Sequence, residues 1–203
     1  MSNFHSNDPR AIRTRQAFQE AFKELLNSKP FQKITVTDIA ERAGFARHTF
    51  YNHYETKEDI LNCLIDSILD KFFSSVDRWD FYLADPEEEL SMYTSFFQVW
   101  KENVEIVKLL NKIDIDVLLI ERLKTYFTKF FYERVSKEVP DVDLELAKYI
   151  INFNAYTMLG ILKPWLKDEM RHPPEVMAGF LIQLTGAAKR KQTVEIYKNI
   201  ITS

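Results

Sequence analysis

Between Arg47 and Lys57 the chain sets out hydrogen-bond donors in close order: Arg47, His48, Thr49, Tyr51, Asn52, His53 and Lys57. A planar guanidinium can give two donors to the O6 and N7 acceptors of a guanine edge. Threonine and tyrosine hydroxyls donate to phosphate oxygens, which sets register without reading bases. Thr35 and Thr37 add two hydroxyls a short way upstream. This set does no covalent chemistry; it suits the holding and reading of a polyanion. The bland alternatives are a solvated helix face, a protein-binding surface, or, for Tyr51 and His53, a packed core.

Pointing those donors outward requires two short helices and a tight turn. Thr35 is placed to cap the first helix, with Asp38 three residues on as a variant of the capping box. Val36, Ile39, Ala40 and Ala43 then fall at helical spacing and make one apolar face. Gly44 supplies the backbone freedom that ends a helix. A second helix is predicted from Arg47, with Phe50 and Tyr54 directed into the core. The plan is a helix-turn-helix.

The run T-V-T-D-I-A-E-R-A-G-F-A-R-H-T-F-Y-N-H-Y-E-T-K-E-D-I-L, Thr35 to Leu61, resembles the DNA-binding signature of the TetR family of transcriptional regulators. Ile39-Ala40, Ala43-Gly44, Thr49-Phe50-Tyr51, Tyr54 and Lys57-Glu58 all fall at the family's spacings, and the likeness covers roughly residues 10 to 61. The resemblance implies that Thr37, Arg47, His48, Thr49, Tyr51, His53 and Lys57 touch DNA. Asn52 is added for its expected exposure. Lys57 with the helix start behind it, and Thr35 with Thr37 across the groove, are expected to hold phosphates. The chain departs from the pattern at Ala46, where the family usually carries a helix cap; loss of such a cap costs about 0.5–2 kcal/mol.

Charge alone does not point to nucleic acid. The net charge is −3, and residues 1–60 hold 9 Lys+Arg against 8 Asp+Glu, so DNA binding would rest on a few focused cations and helix ends. Arg10, Arg13 and Arg15 at the first helix start fit either phosphate contact or simple solvation. Cys63 is the one cysteine, so no internal disulfide can form, as suits a reducing cytosol. The polar start from Met1 carries no secretory pattern, and no apolar run has membrane-spanning length. The four histidines show no metal-ligand spacing. No phosphate loop or Ser–His–Asp set appears, so an enzyme is disfavoured and no cofactor is expected.

The expected fold is all-α. It comprises a polar N-terminal tail (residues 1–9), a three-helix helix-turn-helix domain (10–56), and a helical effector-binding and dimerisation bundle (57–203). Helices are predicted at 10–28, 57–76, 87–103, 104–112, 115–138, 143–170 and 174–190, with a short segment at 193–201. Pro164 is expected to kink its helix or end it early. The body is dense in aromatics, which at helical spacing more often build core than a ligand box. The resemblance nonetheless implies a small, often apolar or aromatic effector among its helices. Phe96, Trp100, Phe127, Phe131, Asn152 and Tyr156 are the candidate contacts, with Asn154 and Thr157 as further polar groups.

The resemblance also implies a cytoplasmic homodimer paired through the last two long helices, about 143–190. Small residues (Gly160, Ala178, Gly179, Gly186, Ala187, Ala188) and apolar ones (Phe153, Ile161, Val176, Phe180, Leu181, Leu184) suit such pairing, and Trp165 is expected near it. Two heads about 34–36 Å apart would read a pseudo-palindromic operator on double-stranded DNA. The function implied is a ligand-released repressor. The alternative from another class is a helix-turn-helix scaffold or co-activator that works through a protein partner.

Overall fold

The computed structural model describes residues 8–76, 86–113, 115–135 and 144–185. Among the described residues all regular structure is helical. Packing divides the chain into two compact units, residues 1–67 with 105–115, and 68–104 with 116–203. The expected tail, apart from Asp8 and Pro9, lies outside the described residues. So do residues 77–85, the small residues Gly186, Ala187 and Ala188, and the expected helix at 193–201.

The first unit starts with α1, Pro9–Ser28. Asp8 caps it by accepting from the Arg10 amide at 2.8 Å, and Pro9 sits in the first turn, where its missing N–H costs nothing. Phe18, Ala21, Phe22, Leu25 and Leu26 are buried along one stripe. Ile12, near the helix start, is 37% exposed. A 3-10 turn at Phe31–Lys33 follows, and Ile34 behind it is buried. Then come α2 (Val36–Ala43), α3 (Arg47–Tyr51) and α4 (Glu58–Val76). Along α4 Ile60, Leu61, Leu64, Ile65, Ile68, Leu69 and Phe72 are all buried. Residues 105–115, which the sequence grouped with the body, belong to the first unit. There Lys112 Nζ reaches Asn27 Oδ1 at 2.8 Å.

The second unit contains α5 (Pro86–Glu102), α7 (Asp116–Phe130), α8 (Leu144–Lys167) and α9 (Pro174–Thr185). Helix α6, Val104–Leu110, begins at the border of the two units. A π-helical turn, Phe131–Val135, closes α7, so the described α-helix is shorter than the sequence predicted. Helix α9 packs on α5, and α8 on α7. Phe96, Phe97 and Trp100 on α5 are fully buried. Phe72 meets Phe96 edge-on with centroids 5.1 Å apart, and Phe97 meets Trp165 likewise at 5.2 Å.

Pro164 does not stop α8. The Asp168 amide donates to the Pro164 carbonyl at 2.9 Å, so the ladder carries on beyond the ring. The helix ends three residues later, before Glu169 and Met170 take left-handed backbone at φ 52° and 57°. Trp165 is buried and donates its indole N–H to the His172 carbonyl at 2.9 Å. It is a core residue of the second unit.

Candidate nucleic-acid interface

Helix α2 is fixed at both ends by local bonds that the sequence already specified. The Asp38 amide donates to Thr35 Oγ1 at 3.1 Å, and the Thr35 amide donates back to Asp38 Oδ2 at 2.7 Å. Lys29 Nζ lies 2.6 Å from the same carboxylate oxygen. Hydrogen bonds from Lys29 and from Thr35 hold the Asp38 carboxyl well below the usual carboxylate range. At the far end Gly44 adopts φ 76°, left-handed backbone. Its amide bonds the Glu41 carbonyl at 3.1 Å, and the Phe45 amide bonds Ala40 at 2.9 Å. This crossed pair is the Schellman closure, and it needs the left-handed residue at its centre.

Helix α3 is only five residues long, and no side chain caps its start at Ala46. Phe50 anchors it: the ring is fully buried, 5.3 Å from Phe18 and 5.5 Å from Tyr54. Tyr54 is also fully buried and receives a bond from Gln19 Nε2 at 3.2 Å. Burial pushes its phenol above the ordinary tyrosine range. Anchored on this aromatic cluster, α3 leaves Arg47, His48, Tyr51 and Asn52 exposed, and Thr49 half-buried. Thr37 on α2 is exposed as well.

Thr35 and Lys57 spend donors on protein partners, and His53 is buried. Thr35 Oγ1 donates to Asp38 Oδ2 at 2.7 Å, so its hydroxyl hydrogen is spent on the capping box. His53 is 6% exposed and packs with centroids 6.2 Å from Phe18; its Nδ1 has no bond partner. Burial, and then the Arg15 charge, lower the His53 pKa from the ordinary 6.5. Lys57 Nζ donates to the carbonyls of Phe31 and Ile34 at 2.8 and 2.9 Å and sits over the Phe31 ring. Two of its three ammonium hydrogens are thus engaged. Ahead of α4, Asp59 Oδ2 accepts from the Glu55 and Thr56 amides at 2.9 and 2.8 Å.

Residues 20–64 match the family described as bacterial regulatory proteins, tetR family, and residues 87–186 match a transcriptional regulator C-terminal region. The chain belongs to the TetR family of transcriptional regulators. YxbF of Bacillus subtilis (strain 168), an uncharacterized HTH-type transcriptional regulator, is 28% identical over 190 residues. That stretch is 91% of this chain and 47% of YxbF. DhaS of Lactococcus lactis subsp. lactis (strain IL1403), an HTH-type dhaKLM operon transcriptional activator, is 32% identical over 82 residues, 40% of this chain and 43% of DhaS. EthR of Mycolicibacterium smegmatis (strain ATCC 700084 / mc(2)155) is 36% identical over 69 residues, 34% of this chain and 32% of EthR. The matched stretches thus span about half or less of these relatives. The solved structure of the dihydroxyacetone kinase operon activator DhaS shares the fold. Its TM-score is 0.52 at 19% identity, covering 92% of this chain and 98% of that one.

The second unit of this TetR-family chain contains a small cavity of about 20 Å³. Phe72, Phe73, Met92, Tyr93, Phe127, Phe130, Asn154 and Met158 line it. Of the six expected effector contacts only Phe127 is among them. Asn154, named as a secondary polar group, supplies the amide of the lining, and its Nδ2 bonds the Ile150 carbonyl at 2.9 Å. Phe96 and Trp100 are fully buried in the core, with the Trp100 indole N–H unpartnered. Phe131 packs with Ala147 and Ile151. Asn152 Nδ2 bonds the Lys148 carbonyl at 2.6 Å, and Tyr156 is 55% exposed under Lys124. The structure does not gather the six around one space. No described helix is long and apolar enough to cross a membrane.

Proposed function

We propose that this protein binds a pseudo-palindromic operator as a cytoplasmic homodimer and represses transcription by occupying it. The observation that carries the reading is α3: a short helix, anchored by buried Phe50, that leaves Arg47, His48, Tyr51 and Asn52 exposed on the far side of a glycine turn. Arg47 would read a guanine edge; Thr37, Thr49 and the remaining Lys57 hydrogen would fix the phosphates.

Dimerisation is supported by two exposed apolar stripes. Tyr149, Phe153 and Tyr156 on α8 are 66%, 63% and 55% exposed; Val176, Phe180 and Leu184 on α9 are 54%, 49% and 61% exposed. Large apolar groups left open at helical spacing suit a partner of the same kind. Two-fold pairing through α8 and α9 would set two heads on one operator.

Regulation would act as a population shift. An apolar or aromatic effector that favours a body conformation with badly spaced heads releases DNA only by its differential affinity. Helix α4, with residues 58–67 in one unit and 68–76 in the other, is the candidate lever. The 20 Å³ space has room for about one water, so a drug-sized effector would have to open it. That observation favours a second reading. In it the regulator works with a protein partner and activates transcription; the relative DhaS is an operon transcriptional activator.

Selection of bound fragments from random duplex DNA, with candidate effectors present and absent, tests the proposal. The expected result is a palindromic motif whose affinity falls 10³–10⁵-fold between 50 and 200 mM salt if six to ten phosphates are contacted. Enrichment of no motif, with no binding at low ionic strength, would refute operator reading.

A further inference from the structure

The Arg47 guanidinium is already engaged before any DNA is present. Its Nε and Nη2 both donate to the Tyr51 hydroxyl oxygen, at 3.3 and 2.9 Å. The guanidinium carbon lies 5.5 Å from the centroid of the Tyr51 ring. The residues are four apart on one helix, where side chains meet. The Tyr51 ring is itself braced edge-on against buried Phe50 at 5.7 Å. An otherwise solvated arginine is thus held by a ring that the core holds.

The chemistry of the fork makes this arrangement specific. A guanidinium has two usable edges: a side edge formed by Nε and Nη2, and an end edge formed by Nη1 and Nη2. Tyr51 occupies the side edge. The end edge keeps the geometry that matches guanine O6 and N7. Accepting these bonds also leaves the Tyr51 hydroxyl hydrogen free to donate to a phosphate.

We infer that Tyr51 is a positioning residue for base reading: its oxygen holds Arg47 by the side edge and presents the end edge to one guanine. This rests on operator reading by α3, as proposed above. An arginine ordered beforehand loses less conformational freedom on binding than a free one. The gain falls only on the base pair that Arg47 touches.

Selected-fragment profiles of wild type, Arg47→Ala, Tyr51→Phe and the double variant test the assignment at one salt concentration. Arg47→Ala is expected to lower the preference at one base pair by about 5- to 150-fold, the span of one good bidentate pair. Tyr51→Phe keeps the ring and is expected to lower the preference at that same base pair by roughly three- to tenfold, a fraction of the Arg47 effect. Adding Tyr51→Phe to Arg47→Ala should change that preference no further. Any loss of a phosphate contact cancels, because the readout is a ratio between sequences.

Nuclear magnetic resonance on the DNA-free protein gives a second readout. The Arg47 Nε–H should exchange with solvent more slowly than that of exposed Arg13, and Tyr51→Phe should remove the difference. If Tyr51→Phe weakens all duplexes alike with the preference ratio intact, or leaves the Arg47 Nε–H unchanged, the positioning role is overturned. A wild-type profile with no preferred base at any position would instead overturn operator reading itself.

Discussion

At the scale of single residues, the helix-turn-helix depends on a few groups whose partners are internal. Gly44 sits at φ 76°, and a Cβ added there would meet nothing within 4 Å. The cost of Gly44→Ala is therefore backbone strain alone, about 1–2 kcal/mol, measurable by denaturant unfolding. His53 carries a different liability. Its folded pKa is below the ordinary 6.5, so the folded state binds a proton less readily than the unfolded chain. Stability is full above about pH 6.5 and falls as acidity increases through that value. Melting from pH 7.5 to 5 should show a steeper loss in wild type than in His53→Gln. An equal slope in both would place the titration elsewhere.

At the scale of elements, Lys57 ties the start of α4 to the 3-10 turn that precedes α2. Two carbonyls depend on its ammonium, at 2.8 and 2.9 Å. Lys57→Met keeps the stem and leaves both acceptors unmet, with an expected loss of about 1–3 kcal/mol. A lysine that served only as a phosphate contact would show unchanged stability and weaker DNA binding. Calorimetry beside a binding titration separates the two. Helix α8 gives a second lesson. Pro164 removes one amide from the ladder, yet the helix reaches Lys167 because Trp165 and Leu166 on the next positions are buried. Apolar burial there outweighs the missing bond.

At the scale of the whole molecule, the exposed stripes of α8 and α9 make a test of assembly. Phe153→Arg with Phe180→Arg puts charges on positions that are 63% and 49% exposed, so each protomer should still fold. Sedimentation should show monomers where wild type sediments as dimers, and operator affinity should fall at least tenfold. A dimer that survives both changes would place the interface on another surface. Trp165 fluorescence is not expected to follow dissociation, since its ring packs on Phe97 and its N–H on His172 within one chain.

The amino-acid order by itself determined the features that are local in origin. The Thr35–Asp38 box, the Gly44 turn, the bare start at Ala46 and the buried stripe of α4 each follow from bonds or periodicity within a few residues. The family signature was legible for the same reason, since it is a set of spacings along one short run. Side-chain direction against distant neighbours was not legible. Whether His53 faces solvent depends on Phe18, 35 positions earlier, and whether Lys57 is free depends on carbonyls 23 and 26 positions back. The body shows the same limit: its aromatics all carry helical spacing, and only packing separated Phe127 on the cavity from Phe96 and Trp100 in the core. Periodicity states which face of a helix is apolar; what that face meets is a property of the folded chain.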